Sequence, residues 1–269
     1  MKRYKKAFKK LKNKNEGALV AFIVIGDPDF ETSLEIAKSI IKAGADILEL
    51  GLPFSDPIAD GKTIQAADIR ALKSGFNTKK AFEFVRELRK FTDIPIGFLS
   101  YYNLIYQYGI EKFFNDVKNY GIDSVLVADV PIEEFGILSK FNKKFDVDTV
   151  LMTSPLTNNE RIKKITANTT GFVYVVSRLG VTGAKSDLKK STLNLVRRIR
   201  QFTEKPLCVG FGISTPEQVQ DVIGCGADGA IVGSAIIDLI ENNIANKEKM
   251  LNEIYKYANI MKTATKRKV

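Results

Sequence analysis

The feature that most constrains the fold of this chain is a regular alternation of short apolar runs with longer amphipathic segments. Eight runs are rich in Val, Ile, Leu and Phe, and the segments between them repeat their apolar residues at helical spacing. This order is typical of a parallel sheet, and eight such units in about 250 residues have the size of a closed (β/α)8 barrel. The predicted strands are residues 19–25, 46–51, 95–99, 124–128, 148–152, 171–176, 206–210 and 229–232.

The chain is therefore predicted to be an α/β protein, with a single (β/α)8 TIM barrel over residues 1–269 and an extra N-terminal helix. Tyr4, Phe8 and Leu11 recur at helical spacing in the Lys-rich opening segment and predict that helix. A doubly wound open sheet is the alternative fold. It would usually carry a glycine-rich phosphate loop after the first strand, where this sequence reads Gly26-Asp27-Pro28-Asp29.

Composition narrows the partners and the compartment. The net charge is +10, but the basic residues are spread along predicted helical faces without an aromatic–basic module, so no nucleic-acid binding is expected. The positive field could instead steer an anionic substrate. The longest apolar run has eight residues, against roughly 18 for a bilayer-spanning helix, so no membrane span is expected. Two cysteines, Cys208 and Cys225, are too few for a disulfide framework and favour a reducing, cytoplasmic location.

A single carboxylate interrupts the second apolar run. Glu49 lies near the end of the predicted strand 46–51, where an unpaired charge is costly to bury. Side chains alternate along a strand, so if Leu48 and Leu50 face the helices, Glu49 points into the barrel mouth. Desolvation would then raise the pKa of Glu49 and make it an acid near neutral pH. The alternative is a structural carboxylate paired with a buried Arg or Lys.

A second carboxylate, Asp60, follows in a loop rich in Pro, Ser, Asp and Gly, the kind of segment that carries functional side chains on a rigid scaffold. We expect Asp60 to be more hydrated than Glu49 and to stay ionised. Two carboxylates in unlike environments can serve as an acid and base pair.

Glycine clusters follow the predicted strands six, seven and eight, at residues 180–183, 210–214 and 233–234. Glycine lets backbone amides approach an anion closely, and Gly233-Ser234-Ala235 opens a predicted short helix whose N-terminus attracts negative charge. A phosphate site after strands seven and eight recurs in this barrel class, so a phosphorylated substrate is expected. The alternative is that these glycines only turn the chain.

Residues that are missing narrow the chemistry further. The chain has no histidine, and no predicted strand ends in a lysine. A zinc site and a Schiff base are therefore disfavoured, and no metal is expected. What remains is proton transfer by carboxylates on a phosphorylated substrate that supplies its own electron sink.

The segment 48–61, which reads LELGLPFSDPIADG, closely resembles the signature of the tryptophan synthase alpha chain family. The resemblance extends over essentially the whole chain and implies a barrel lyase that cleaves indole-3-glycerol phosphate to indole and glyceraldehyde 3-phosphate in tryptophan biosynthesis. Further stretches that carry it are Phe22, Gly26-Asp27-Pro28, Tyr102-Asn103, LVADVP at 126–131, SRLGVTG at 177–183, VGFGIS at 209–214 and Gly233-Ser234-Ala235.

The resemblance also implies roles for individual residues. Glu49 is expected to move protons at C3 of the indole ring and at the glycerol hydroxyl, while Asp60 holds the indole N–H and stabilises the cationic intermediate. The implied substrate-binding residues are Phe22, Tyr102, Tyr174 and Phe211 around the indole, Thr182 and Gly183 in a lid over residues 177–190, and Gly212, Gly233 and Ser234 at the phosphate. Ordinary barrel packing is the alternative for the four aromatic residues.

The same family implies a partner. Its alpha chains bind a beta chain that carries pyridoxal phosphate, in an alpha2beta2 tetramer, and pass indole to it through a tunnel; no cofactor is implied in this chain itself. The residues expected near that interface, for which loop packing is the alternative, are Asp56, Pro57, Asn103, Asp129 and Pro131.

One position departs from the family pattern. Proline commonly follows the Ala-Asp-Gly triplet, and here the residue is Lys62, which loosens the Asp60 loop and predicts reduced activity of the isolated chain. Two other functional classes stay open: an activating subunit with little catalysis of its own, and a sister barrel enzyme of the same pathway that acts on a phosphorylated aromatic sugar with a lysine acid.

Overall fold

The computed structural model describes residues 2–177, 185–210 and 212–267. Its strands are β1 Ala18–Val24, β2 Ile47–Gly51, β3 Ile96–Ser100, β4 Ser124–Val127, β5 Asp148–Thr149, β6 Leu151–Thr153, β7 Val173–Val176, β8 Leu207–Gly210 and β9 Gly229–Val232. Its helices are α1 Arg3–Asn13, α2 Phe30–Lys42, α3 Lys62–Lys73, α4 Thr78–Arg89, α5 Tyr102–Tyr108, α6 Ile110–Asn119, α7 Gly136–Phe145, α8 Asn159–Asn168, α9 Lys185–Arg200, α10 Pro216–Gly224, α11 Ser234–Asn242 and α12 Lys247–Thr263.

The strands form one parallel sheet in the order β5-β4-β3-β2-β1-β9-β8-β7-β6. Only Val150 separates β5 from β6, so the two ends of the sheet belong to one interrupted strand and the barrel is nearly closed. The predicted (β/α)8 barrel is confirmed, and the open-sheet alternative is excluded. The fifth predicted strand lies where expected but is split, which gives nine described strands instead of eight.

The apolar side chains pack in two layers. A large outer cluster, to which Leu48, Leu50 and Phe98 belong, fills the space between the strands and the helices. A smaller cluster fills the inside of the barrel and includes Val20, Ile47 and Phe172. Residues 48 and 50 therefore face the helices, while residue 47 faces the interior, as strand alternation requires.

The extra N-terminal helix α1 closes the amino end of the barrel, and its prediction is confirmed. Tyr4 is buried there, its ring meets Phe172 edge to face at 5.7 Å, and its hydroxyl shares a 2.8 Å hydrogen bond with the Ser124 hydroxyl. A Cβ atom at Gly97 would lie 2.9 Å from the Tyr4 hydroxyl, so this glycine makes room for the helix.

Carboxylates at the amino ends of three strands join neighbouring strands together. Asp46 accepts the Leu19 backbone amide at 2.9 Å, and two further carboxylates do the same for the first residues of β3 and β8. Each is also paired with a basic side chain. The ion pairs are Asp46–Lys262 at 2.9 Å, Asp123–Arg89 at 2.7 Å and Asp228–Arg200 at 2.5 Å.

Within the described part of the chain, the helices are all too short or too polar to cross a bilayer.

Candidate active site

Glu49 lies inside the carboxyl end of the barrel. It shares the inner face of β2 with Ile47, and in the strand register it is next to Phe22 on one side and Gly97 on the other. The side chain is 4% exposed, and its Oε2 atom has no hydrogen-bond partner among the described residues. Burial raises the pKa of Glu49 to about 8. Glu49 therefore points into the barrel, as strand parity predicts, and no Arg or Lys side chain within residues 2–177, 192–210 and 212–267 forms the ion pair that a structural role would require.

Aromatic rings cover the barrel mouth around Glu49, and glycines at the strand ends admit them. A Cβ atom at Gly51 would lie 2.7 Å from Cζ of Phe22, and one at Gly210 would lie 2.6 Å from the Tyr174 hydroxyl oxygen. These contacts are closer than real Cβ atoms make, so larger residues would displace the rings. Phe22 and Tyr174, two of the predicted substrate-binding residues, therefore lie at the mouth of the barrel beside Glu49.

Asp60 lies in the loop between β2 and α3 and is held by Tyr101. The Tyr101 hydroxyl donates to Oδ2 of Asp60 at 2.7 Å and accepts the backbone amide of Ala59 at 3.1 Å. The Tyr101 ring also stacks on Phe54, with centroids 5.1 Å apart, so two residues of the loop rest on one tyrosine. Asp60 is half-buried, more hydrated than Glu49 as expected. Its burial nevertheless outweighs the Tyr101 hydrogen bond and raises the pKa of Asp60 above the ordinary value for an aspartate.

The two carboxylates and Tyr174 share one space. Besides burial, the charges of Glu49 and Asp60 both raise the pKa of Tyr174, which places its hydroxyl within electrostatic range of each. Tyr102, by contrast, begins α5 and is half-buried, with its ring 6.1 Å from that of Tyr106. Tyr101, which the sequence analysis did not name, is the residue that contacts Asp60, and the place of Tyr102 at the indole stays a prediction.

The predicted phosphate residues that the structure describes lie after β8 and β9. Helix α11 begins at Ser234 with Gly233 as its N-cap. No side chain among the described residues caps it, so its first backbone amides point to the barrel mouth without a described side-chain acceptor. Gly212 has a φ of +79°, a conformation that favours glycine. Thr182, Gly183 and Phe211 lie outside the described residues, as do residues 178–184 of the predicted lid over residues 177–190.

The residues expected at a partner interface all lie in segments that follow strands at this same end of the barrel. Asp129 accepts the Tyr102 backbone amide at 2.8 Å and is itself exposed. Asn103 lies in the first turn of α5, next to Tyr102. The exposed residues of the set are Asp56, Asn103, Asp129 and Pro131, and Pro57 is half-buried.

Large apolar side chains are exposed on the same face. Ile58 is 84% exposed, Leu156 is 78% exposed and Tyr106 is 61% exposed. They belong to the segments that follow β2, β6 and β3. Clustered exposed apolar side chains of this size mark interaction surfaces more often than isolated ones.

Two residues of the site were missed by sequence reasoning. Tyr101 lies two residues after the third predicted strand, 95–99, so a search of the residues just beyond each strand end would have found it. Asp68 is a buried carboxyl on α3, and it shares helical spacing with the apolar positions Ile64, Ala67 and Ala71. A charged residue on the apolar face of an amphipathic helix is a detectable exception to the pattern.

The fold and the site together describe a (β/α)8 barrel with buried carboxyl groups at the carboxyl ends of its strands, the end at which enzymes of this fold hold their active sites. A family model described as tryptophan synthase alpha chain matches residues 8–266. A tryptophan synthase alpha chain from Methanothermobacter thermautotrophicus is 47% identical over 247 residues, with 92% of each chain covered. One from Francisella tularensis subsp. tularensis is 44% identical over 264 residues, with 98% of each covered.

Solved structures agree. The tryptophan synthase subunit alpha of Legionella pneumophila is 33% identical, covers 98% of each chain and superposes with a TM-score of 0.90. A chain from a tryptophan synthase complex of Pyrococcus furiosus is 36% identical, covers 92% of this chain and 98% of that one, and has a TM-score of 0.83. This chain belongs to the tryptophan synthase alpha chain family, which confirms the family and the carbon–carbon lyase class predicted from the sequence.

Proposed function

We propose that this chain performs the reaction of its family, the retro-aldol cleavage of indole-3-glycerol phosphate to indole and glyceraldehyde 3-phosphate, with Glu49 and Asp60 as its catalytic residues. The observation that carries the assignment of roles is the environment of Glu49. A carboxyl that is 4% exposed, without a partner on Oε2 among the described residues and with a pKa raised to about 8, holds a proton at neutral pH and can donate it.

The proton transfers balance without an added cofactor. Glu49 gives its proton to C3 of the indole ring, and the ring becomes an iminium cation. The Glu49 carboxylate then takes the proton of the glycerol hydroxyl next to the ring, the carbon–carbon bond breaks, and its electron pair neutralises the iminium as indole forms. The hydroxyl carbon leaves as the aldehyde of glyceraldehyde 3-phosphate.

Asp60 has the complementary role. Its carboxylate accepts the indole N–H and stabilises the positive charge that develops on the ring. The Tyr101 hydrogen bond of 2.7 Å fixes the carboxylate and favours its ionised form, against the effect of burial. The rings of Phe22 and Tyr174 offer an apolar wall for the indole next to Glu49, and their contacts with Gly51 and Gly210 support this placement.

The phosphate group is proposed to bind after β8 and β9. The uncapped N-terminus of α11, at Gly233 and Ser234, supplies backbone amides and the positive end of a helix dipole. Gly212 is proposed to complete this site. Thr182, Gly183 and Phe211 keep the roles that the sequence predicts for them, in a lid and an indole pocket.

The partner is proposed to be a tryptophan synthase beta chain, in an alpha2beta2 tetramer, with pyridoxal phosphate in the beta chain and none in this one. Support comes from the face around the barrel mouth, where Ile58 and Tyr106 are exposed in the same segments as the expected interface residues Pro57 and Asn103, and Leu156 is exposed after β6. We further propose that residues 1–269 form one domain, since α1 closes the barrel and Glu16 bridges to Lys266 beside it, and that the chain acts in the cytoplasm.

The test is incubation of the purified chain with indole-3-glycerol phosphate while free indole is measured. Release of indole and glyceraldehyde 3-phosphate in equal amounts is expected, and a faster release when the beta chain is added. Asp93→Asn, which changes a carboxyl that is 93% exposed at the opposite end of the barrel, is the control and should keep the activity. No indole with or without the beta chain would contradict the proposal.

A further inference from the structure

A third carboxyl group, that of Asp68, lies near Asp60 but takes no part in the reaction proposed for Glu49 and Asp60. Asp68 lies on the inward face of α3 and is 3% exposed. Its Oδ2 atom has no hydrogen-bond partner among the described residues, a property that only two other buried side-chain atoms of those residues share, Oε2 of Glu49 and Nε of Arg198. An unsatisfied buried carboxyl oxygen lowers the stability of the folded state, so its presence calls for an explanation.

The surroundings of Asp68 belong to the loop between β2 and α3, which we name the Asp60 loop (residues 52–61). The backbone amide of Phe54 in this loop faces the Asp68 carboxyl and favours its ionised form, whereas the charge of Asp60 opposes it. Phe54 also stacks on Tyr101, which holds Asp60. Asp68 therefore contacts the loop from the helix side, while Tyr101 contacts it from the strand side.

The other charged groups around Asp68 do not supply a cation to neutralise it. Asp27, in the loop after β1, adds to the negative field at Asp68. Arg70, on the same helix as Asp68, is already occupied by Asp27, with bonds of 2.7 and 2.9 Å, and by Glu241 of α11 at 3.2 Å. Burial, Asp60 and Asp27 together raise the pKa of Asp68 to about 8. Tyr101 is the remaining titratable group facing it, and the charge of Asp68 raises the pKa of Tyr101 further.

We propose that Asp68 is a positioning residue for the lyase reaction. As a neutral carboxyl under the Asp60 loop, it lets Asp60 carry a negative charge without a second anion beside it. When Asp68 ionises, the loop is displaced and substrate binding weakens. This inference rests on the proposed function, because the loop matters through Asp60. The neutral form accepts the Phe54 amide without repelling Asp60. The ionised form adds a second anion to the same loop, which has no free cation beside it among the described residues.

The test measures the affinity for indole-3-propanol phosphate, an analogue that cannot be cleaved, in the full-length chain. A Glu49→Gln background removes the titration of Glu49, and the comparison is between this variant and the double variant Glu49→Gln with Asp68→Asn. Measurements from about pH 7.5 to about pH 9.5 bracket the value of about 8 for Asp68 and avoid the second phosphate ionisation near pH 6. Asp93→Asn in the same background is the matched control, with the same chemical change at an exposed site.

In the Glu49→Gln variant, which retains Asp68, the affinity for the analogue is expected to fall about tenfold over this pH range. This is the ratio expected if ligand binding shifts the pKa of Asp68 by about one unit. In the double variant that carries Asp68→Asn, the change should be less than about twofold. Equal pH dependence in the two chains would overturn the inference. Indole release by the wild type is measured separately. If the wild type releases indole but both variants show the same pH dependence of analogue affinity, the role of Asp68 is refuted and the proposed function stands.

A second measurement covers the stability of the variant. Because the pKa of folded Asp68 lies above its unfolded value, the ionisation of Asp68 in the unfolded chain lowers the stability of the wild type as pH rises from about 4 to about 8. Asp68→Asn lacks this contribution, while the similar contribution of Glu49 is common to both chains. The melting temperature of the variant should therefore exceed that of the wild type, by a margin that grows over this range. A variant that melts lower at pH 7, or fails to fold, would show that Asp68 is an ionised structural residue and would overturn the inference.

Discussion

Carboxylates lie at both ends of this barrel, in opposite environments. At the amino end, Asp46, Asp123 and Asp228 each accept a backbone amide from the neighbouring strand and each pair with a Lys or Arg. At the carboxyl end, Glu49 and Asp68 are buried with an oxygen that has no partner in the described part of the chain. The first group closes the barrel, while the second is left able to hold and release a proton.

The difference shows how one residue type serves two purposes in one fold. A buried carboxylate with a cation and a backbone donor is neutralised and fixed, so it contributes to structure. A buried carboxyl without them costs stability, and its pKa moves toward neutrality, to about 8 for both Glu49 and Asp68. Buried carboxyl groups that lack hydrogen-bond and ion-pair partners in this way are commonly found at functional sites.

The largest effect should come from Glu49→Gln. The variant keeps the shape of the side chain but cannot transfer a proton, so indole release should fall by about 10²–10⁴-fold. Stability should not fall with it. The folded pKa of about 8 lies above the unfolded value, so the variant should gain stability over the wild type as pH rises from about 4.5 to about 8, by a few kcal/mol. Thermal unfolding at several pH values checks this, and a wild-type level of indole release would remove Glu49 from the mechanism.

Asp123→Asn should have the opposite profile, a loss of stability with unchanged turnover per folded molecule. The carboxylate pairs with Arg89 at 2.7 Å and Arg3 at 3.1 Å, and its side chain is only 10% exposed. Removing one partner of a largely buried pair should lower the free energy of unfolding by about 3 kcal/mol. Urea denaturation measures the loss, with Asp93→Asn as the exposed control, for which about 0.5 kcal/mol or less is expected. A reduced kcat in a folded Asp123→Asn chain would contradict the distinction between structural carboxylates at the amino end of the barrel and functional ones at the carboxyl end.

Asp60→Asn should lower kcat by about 10²-fold, because the neutral amide no longer stabilises the cationic ring. The asparagine oxygen can still accept the Tyr101 hydroxyl, so the loop should keep its place, but the NH2 group cannot accept the indole N–H. Affinity for an uncleavable analogue should therefore also fall, by about tenfold, which is less than the loss in kcat. The kcat and the analogue affinity are measured on the same preparation. A loss confined to affinity would mean that Asp60 only binds substrate.

Lys62→Pro should have the smallest effect. Lys62 is the first residue of α3, where the backbone N–H forms no hydrogen bond within the helix, so a proline loses nothing there. The preceding Gly61 has φ −75° and ψ 165°, which suits a residue before proline. The free energy of unfolding should rise by about 0.4–1 kcal/mol, and indole release by the isolated chain should increase if a looser Asp60 loop limits it. Addition of the beta chain should narrow the difference in indole release between the wild type and Lys62→Pro. Equal turnover of the wild type with and without the beta chain would show that Lys62 does not reduce the activity of the isolated chain.

The barrel itself could be predicted because strand alternation and helical spacing are local patterns. Strand parity also gave the direction of Glu49, since Leu48 and Leu50 do pack against the helices. Parity could not reveal the split at Val150. Next to it, Thr149 forms hydrogen bonds with the distant Asn168 and Thr170, and such contacts are not encoded in strand alternation.

The site was predicted less completely. Tyr101 and Tyr102 are adjacent residues of one type, and only the path of the chain after β3 decides which of them reaches Asp60. The raised pKa of Asp60 likewise depends on how the loop packs against Tyr101 and Phe54, which spacing along the sequence does not encode.

The most direct measurement of the central claim is the titration of Glu49 itself. In a chain labelled with ¹³C at the glutamate carboxyl carbons, the signal that disappears in Glu49→Gln identifies the residue. Its midpoint is predicted near pH 8, because burial disfavours the charged form and no described side chain pairs with it. A midpoint near 4.5, the ordinary value for glutamate, would contradict the account.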